Sequence, residues 1–382
     1  MTHHFKLLFV FVILTSLPIH ALHAAPLKVE SIVFKAKKTN LDFGEPITLP
    51  FVSASQPKTA KKINDYIYID NLKTLAPAKA KDGISRKITD EDDDPVAGIT
   101  SMQYKVLLND GKVFSLQFNS EFCGAYCEEN ATSYSFDAIT GRHLTLQDIF
   151  TVNGIEALKR KVYAARVVTM KQEIMHLQKE AAKPKKKNQQ NDEFDADADD
   201  AVLLYKTCLA ENAEAHKDEM KSGDTHELAY FSMDAKGVTF THGRCSNHAM
   251  RALDSIDQFH NNYTFQSLKP YLTAYAKHLL LNDTAKFEQP SDITGQVYYG
   301  SIGQAAITLM IQIPYGYDNM LHAVYFYNQY RQPIELLGTG SEWAEFNSAD
   351  KPQPIIKGTW QGDTLTGQWQ GNAKTLPFKI VP

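Results

Sequence analysis

At 382 residues, with 43% apolar content, 20 Phe and 18 Tyr, the chain has room for two domains with well-filled cores. That composition excludes a disordered or low-complexity protein. A formal net charge of −4 excludes the electrostatic footprint of a nucleic-acid binder or of a protein held to an anionic membrane surface.

The N-terminus reads as a secretory signal. Met1 to Lys6 precedes an unbroken apolar run from Leu7 to Leu14, Thr15 to Pro18 ends it, and Leu22 to Ala25 offers small residues for cleavage. An apolar core this short does not span a bilayer. The expected signal is residues 1–24 and the expected location the periplasm or the medium. No later segment approaches the roughly 18 apolar residues of a membrane span, and the first cysteine, Cys123, is far from any lipid-anchor position. In an exported chain, four cysteines read as two disulfides. Cys123 with Cys127 would close a small loop, and Cys208 with Cys245 would tie a helix to a later segment. The sequence leaves the other pairings open.

In chain order, Val29 to Phe34 is a short strand and Pro57 to Ile69 a helix, with Pro in the first turn and Ile63, Tyr66 and Ile67 on one side. Lys87 to Pro95 is an acidic, solvated loop. Ser101 to Asn119 alternates about Asn109-Asp110-Gly111, a strong hairpin signal. The stretch from Phe118 to Phe150 organises what surrounds it: a strand, a cysteine-bounded loop, a second strand at Ser133 to Phe136, then a turn at Asp137 to Gly141. Leu144, Leu146 and Ile149 form the apolar side of the next segment. A long helix follows, with Asn153 and Glu156 as a capping box and Ile155, Leu158, Val162, Ala165 and Val168 at helical spacing. It runs into a basic and then an acidic stretch, expected to be a mobile insertion over 183–200.

Ala201 to Met220 is a second helix carrying Cys208. His226 to Met233 and Val238 to Thr241 form another hairpin, and a third helix capped by Ser267 runs to about Asn282. From Gln296 the pattern becomes short alternating strands, with Gly362 and Gly371 in turns. The predicted fold class is α+β: a sandwich-like α/β domain with antiparallel hairpins and helices over 25–288, then an all-β meander or small barrel over 292–382.

His242, Cys245 and His248 have metal-ligand spacing, and Cys208 would complete a site. In an oxidising compartment the reading is instead a disulfide at Cys245 with solvent-facing histidines. Ser55 with Lys58 matches the Ser-x-x-Lys pattern of acyl-enzymes without its companion signatures. Tyr299 stands where a nucleophile elbow needs Gly, and Tyr230 where a zinc-protease helix needs its second His. Asp195, Asp197 and Asp199 start a calcium loop whose Gly and closing Glu are replaced by Asp200 and Lys206. No catalytic, metal or cofactor motif survives. Glu128, Glu129 and Asp137 are the carboxylates from which a general acid–base pair would be drawn. Trp343, Trp360 and Trp369 read as core rather than as a sugar-binding face.

Tyr134 to Asp137, Thr140-Gly141, Leu144 to Leu146 and Asp148 to Phe150, with Phe240 in a strand and Leu268 to Tyr271 opening a helix, carry a resemblance over about residues 29–281. The region resembles the exported bacterial α/β domains of the lysozyme-sensing anti-sigma factor and of peptidoglycan deacetylases. That family often has a Gly-Gly-Ala-His-Gly loop before the first motif. Here Cys123 to Cys127 stands in its place, with Tyr126 at the position of the His. The resemblance implies a non-enzymatic envelope binding protein whose partner is peptidoglycan or a peptidoglycan-degrading enzyme. Tyr126, Glu128 and Glu129 are its candidate partner-binding residues, an acidic loop suited to a basic partner. An envelope hydrolase with an unrecognised carboxylate pair and a structural periplasmic protein are the alternatives.

Overall fold

The computed structural model describes residues 25–34, 47–84, 99–124, 126–182, 198–313, 320–346 and 353–382. The expected signal, the acidic loop and all but the last residues of the charged insertion lie outside them. The fold is α+β with a closed C-terminal barrel, the class expected from sequence.

The first sheet has the order β1 (Lys28–Phe34), β2 (Ile47–Ser53), β3 (Ile99–Asn109), β4 (Val113–Cys123), β5 (Cys127–Asp137). Between β2 and β3 runs α1 (Pro57–Leu72), with Pro57 where a missing N–H costs nothing and Lys73 closing the helix in a left-handed conformation. This crossover lets β2 and β3 pair in parallel, at Ile47 and Met102. Ile63, Tyr66, Ile67 and Leu72 of α1 pack with Leu49, Phe114, Leu116, Phe118 and Phe136 of the sheet. At the β3–β4 turn the Asp110 carboxylate accepts the N–H groups of Lys112 and Val113 at 2.9 and 2.8 Å, as the Asp-Gly signal predicts.

After β5 come α2 (Leu146–Ile149), α3 (Val152–Ala181) and α4 (Ala198–Ser222). The cap of α3 is Thr151 rather than Asn153: its hydroxyl accepts the Gly154 N–H at 3.0 Å, so the helix begins two residues earlier than the Asn153 pattern suggests. A small antiparallel sheet follows, with β6 (Phe231–Asp234), β7 (Gly237–His242) and β8 (Phe259–Tyr263). Residues 226–228 form a 3₁₀ turn instead of the start of the first of these strands. The expected third helix is broken in two, α5 (Phe265–Leu268) and α6 (Ala274–Leu281), because Pro270 supplies no N–H to continue it. The chain extends there and Leu272 bridges to Phe150. α6 ends at Asn282, where the third helix was expected to end, in a left-handed conformation. These elements enclose a second core around Phe150, Leu158, Val238, Phe240 and Leu272.

The remaining strands are β9 (Gln296–Ile302), β10 (Ala305–Ile311), β11 (Leu321–Tyr327), β12 (Pro333–Gly338), β13 (Glu342–Glu345), β14 (Ile355–Gln361), β15 (Thr364–Gly371) and β16 (Lys374–Val381). They close antiparallel into a barrel, with β16 returning to β9. Its interior is filled by Tyr298, Leu309, Tyr325, Leu336, Trp343, Ile356, Trp369 and Phe378. Trp343 and Trp369 are therefore core, and the half-buried Trp360 donates to the Gly340 carbonyl at 2.9 Å. Strands β9 to β11 are buried on both faces: Val297, Met310, Val324 and Phe326 point outward and join the core beneath α1. Arg331 adds a hydrogen bond to the Ala76 carbonyl at 3.0 Å.

Candidate functional site

The central stretch contains two polar constellations with different surroundings. The first is a buried junction. Asp137 accepts the N–H groups of Ile139 and Thr140 through one oxygen, at 2.7 and 3.1 Å, and the Tyr275 hydroxyl through the other, at 2.6 Å. Gly141 takes φ +75°, and a Cβ there would lie 2.8 Å from the Thr59 carbonyl oxygen, so α1 packs on the turn only because no side chain intervenes. Arg142 makes a two-pronged contact with Asp148, at 3.0 and 2.9 Å, and a third bond to the Asp292 carbonyl at 2.7 Å. Asp148 also closes a capping box with Thr145 at the start of α2. Burial pushes the Asp148 carboxyl up, and the Arg142 guanidinium offsets that only in part. His143 stacks on Tyr66 at 4.2 Å, and burial lowers it to about 3, with the neighbouring Arg142 charge adding to the effect. The Asp137, Gly141 and Asp148 motif is thus a joint that fastens α1, α6 and the start of the barrel to the first sheet.

A cleft of about 530 Å³ opens beside this joint, lined by Gln147, Asp148, Thr273, Tyr275, Lys286 and Glu288 among others. Asp148 is not free to act there as an acid or base, since both of its oxygens are held by Arg142. Nor do the other carboxylates singled out from sequence converge on a substrate site. Asp137 is committed to its turn, and Glu128 and Glu129, as adjacent residues of β5, face opposite sides of the hairpin.

The second constellation is the tip of that hairpin. β4 and β5 stay paired out to Cys123 and Cys127, where a disulfide closes the last rung with Cα atoms 4.0 Å apart. The other disulfide joins Cys208 on α4 to Cys245 in the segment after β7, and both pairings suit an oxidising compartment. On one face of the tip, Phe122 lies opposite Glu128; on the other, Glu121 lies opposite Glu129. Glu121, Cys123 and Cys127 are close enough to share a metal ion, but both sulfurs are bonded to each other.

Glu128 reaches the Cys245 segment. Arg244 Nη2 donates to both of its oxygens, at 2.8 and 3.0 Å, and His248 donates from Nδ1 at 3.0 Å. Arg251 Nη1 stands 3.9 Å away. The hydrogen bonds from Arg244 and His248 hold the Glu128 carboxyl below the usual range. Tyr126, 63% exposed, stacks on the His248 ring with centroids 4.0 Å apart. The structure therefore brings Tyr126 and Glu128 together and sets Glu129 apart. It adds Arg244, His248 and Arg251, which lie more than a hundred positions away in sequence and carry no local pattern that links them to the tip. His242 is not drawn into this cluster; burial lowers it to about 4, helped by the Arg166 charge.

No family model and no curated protein matches the chain. A crystal structure of a DUF3298 family member from Bacteroides fragilis is similar at 15% identity and a TM-score of 0.36, over 66% of this chain and 96% of that one. A DUF3298 family protein from Pseudomonas aeruginosa is similar at 12% identity and a TM-score of 0.32, again over 66% of this chain and 96% of that one. Likeness at this level carries no argument about function.

Proposed function

We propose that this protein is exported, binds without catalysing a reaction, and recognises the peptidoglycan of the cell envelope through the tip of the β4–β5 hairpin and the Cys245 segment packed against it. The reading rests on one observation: Tyr126 presents an open aromatic face on a platform fixed at both ends by disulfides and joined by the Glu128 contacts. An exposed ring already held in place loses little freedom on binding, and an aromatic face suits the apolar side of a pyranose. The signal-like N-terminus read from sequence and the paired cysteines support export. Among the described residues no helix is long and apolar enough to cross a membrane.

The same geometry argues for the wall over a basic lysozyme-like enzyme, the partner that an acidic loop would suit. Glu128 already accepts two hydrogen bonds from the Arg244 guanidinium and one from His248, so its charge is not on offer to a basic surface. The test is sedimentation of the mature protein with intact sacculi, beside a lysozyme clearing assay. Pelleting with sacculi supports wall binding. Slowed clearing without pelleting replaces it by the enzyme-binding reading, and clearing without added lysozyme replaces it by a hydrolase.

A further inference from the structure

The hydrogen bonds already made at the tip decide which chemistry its surface has left to offer. Glu128 accepts from Arg244 twice and from His248 once. Asp254, the next carboxylate along the same segment, accepts the Ser246 N–H at 2.9 Å and the Tyr205 hydroxyl at 2.7 Å. Both acidic groups are thus engaged. Arg251 differs. Its side chain is 45% exposed, and its 3.9 Å approach to Glu128 is an ion pair too long for a hydrogen bond. Among the described residues it makes no side-chain hydrogen bond, so all five of its N–H donors are available.

Position matters as much as valence. Arg251 and His248 share the 3₁₀ segment His248–Leu253, and residues three apart in such a helix lie over one another. His248 in turn carries the Tyr126 ring. An open aromatic face and an unengaged guanidinium fork therefore flank the same histidine, with Phe122, 49% exposed, on the neighbouring strand.

We infer that this surface is a subsite for a carboxylate-bearing glycan: a sugar ring lies against Tyr126 and its carboxylate is held by Arg251. A planar carboxylate accepts two parallel N–H bonds from a guanidinium, a geometry that a neutral hydroxyl does not reproduce. The inference names the ligand chemistry of the site proposed above and rests on that placement.

The test uses the full disulfide-bonded chain and two soluble probes of equal length, a uronic-acid oligosaccharide and a neutral chito-oligosaccharide, followed by calorimetric titration. The expected result is tighter binding of the uronic-acid probe by roughly 10- to 100-fold, the range of one charge-assisted hydrogen-bonded contact. Arg251→Gln should erase that difference while leaving the neutral probe unchanged, and raising the salt should weaken only the acidic probe. Equal affinities, an unaffected Arg251→Gln variant, or no binding of either probe overturns the inference. Sacculi with and without amidated carboxyl groups separate it from the wall reading. Pelleting that survives both amidation and Arg251→Gln leaves wall binding standing and removes the carboxylate subsite. Binding of the uronic-acid probe without pelleting does the reverse.

Discussion

Two arginine–carboxylate contacts involve the same stretch of chain and do different work. Arg142 and Asp148 meet six residues apart in sequence, with side chains only 12% and 1% exposed, and every oxygen of the carboxylate is used inside the fold. Arg244 and Glu128 meet across more than a hundred residues, at the surface, beside an aromatic ring that faces solvent and a second arginine whose donors are unengaged. The first contact holds three parts of the molecule together. The second joins two loops that are each already fixed by a disulfide, so little of the fold depends on it. The same pair of functional groups is structural where it is buried and surrounded, and available for recognition where its neighbours keep unused donors.

Breaking the buried contact should have the largest effect. Arg142→Ala leaves Asp148 buried without its partner, and the expected loss is about 3–5 kcal/mol in denaturant unfolding. A loss no larger than that of a surface pair would place Arg142 outside the joint. The next effect is of pH. His143 is buried and neutral, with its native value lowered from the usual histidine range to about 3. Below about pH 6.5 the unfolded chain therefore binds a proton that the folded chain refuses. Its contribution is complete above that pH and is lost as pH falls towards 3, at about 1.4 kcal/mol per pH unit. His143→Phe keeps a ring against Tyr66 and should flatten the stability curve in that window by about this slope. An unchanged slope would show that His143 does not titrate with unfolding.

Smaller effects follow. Gly141→Ala should cost on the order of 1–2 kcal/mol from the left-handed backbone, with a further penalty from the Thr59 contact, read as a lowered unfolding midpoint. At the tip, Glu128→Gln should leave the unfolding midpoint nearly where it is, since the pair is partly exposed and the disulfides remain. Its effect should appear in sacculus binding, because His248 loses the anchor that holds it under Tyr126. A large drop in stability with unchanged binding would reverse the roles assigned to the two contacts.

Much of the joint was legible in sequence, because its signals are local. Asp137 and Gly141 lie within five residues and obey turn rules that act over a few positions, whereas the Thr145–Asp148 capping box emerges only in the structure. The barrel strands were legible for the same reason, through alternation and glycine turns. Strands β9 to β11 could be read by the same alternation, but only the structure shows that their outward set, Val297, Met310, Val324 and Phe326, is covered by the core beneath α1. The tip was half legible. Its cysteines and Tyr126 could be singled out, but Glu128 and Glu129 looked like one acidic patch until strand pairing put them on opposite faces. Arg244, His248 and Arg251 could not be assigned, because a contact between such distant residues has no periodicity to betray it. The cysteine pairing and the spacing of His242, Cys245 and His248 were the sequence signals that drew attention to that segment.

The most direct test of the account compares sedimentation with intact sacculi for the wild-type protein and for the variant Tyr126→Ala with Arg251→Gln, at matched circular dichroism and unfolding midpoint. Both residues are exposed and neither belongs to the buried joint, so the variant should fold normally. The account predicts that the wild type pellets and the variant stays in the supernatant. Equal pelleting of the two proteins, or no pelleting of either, would contradict it.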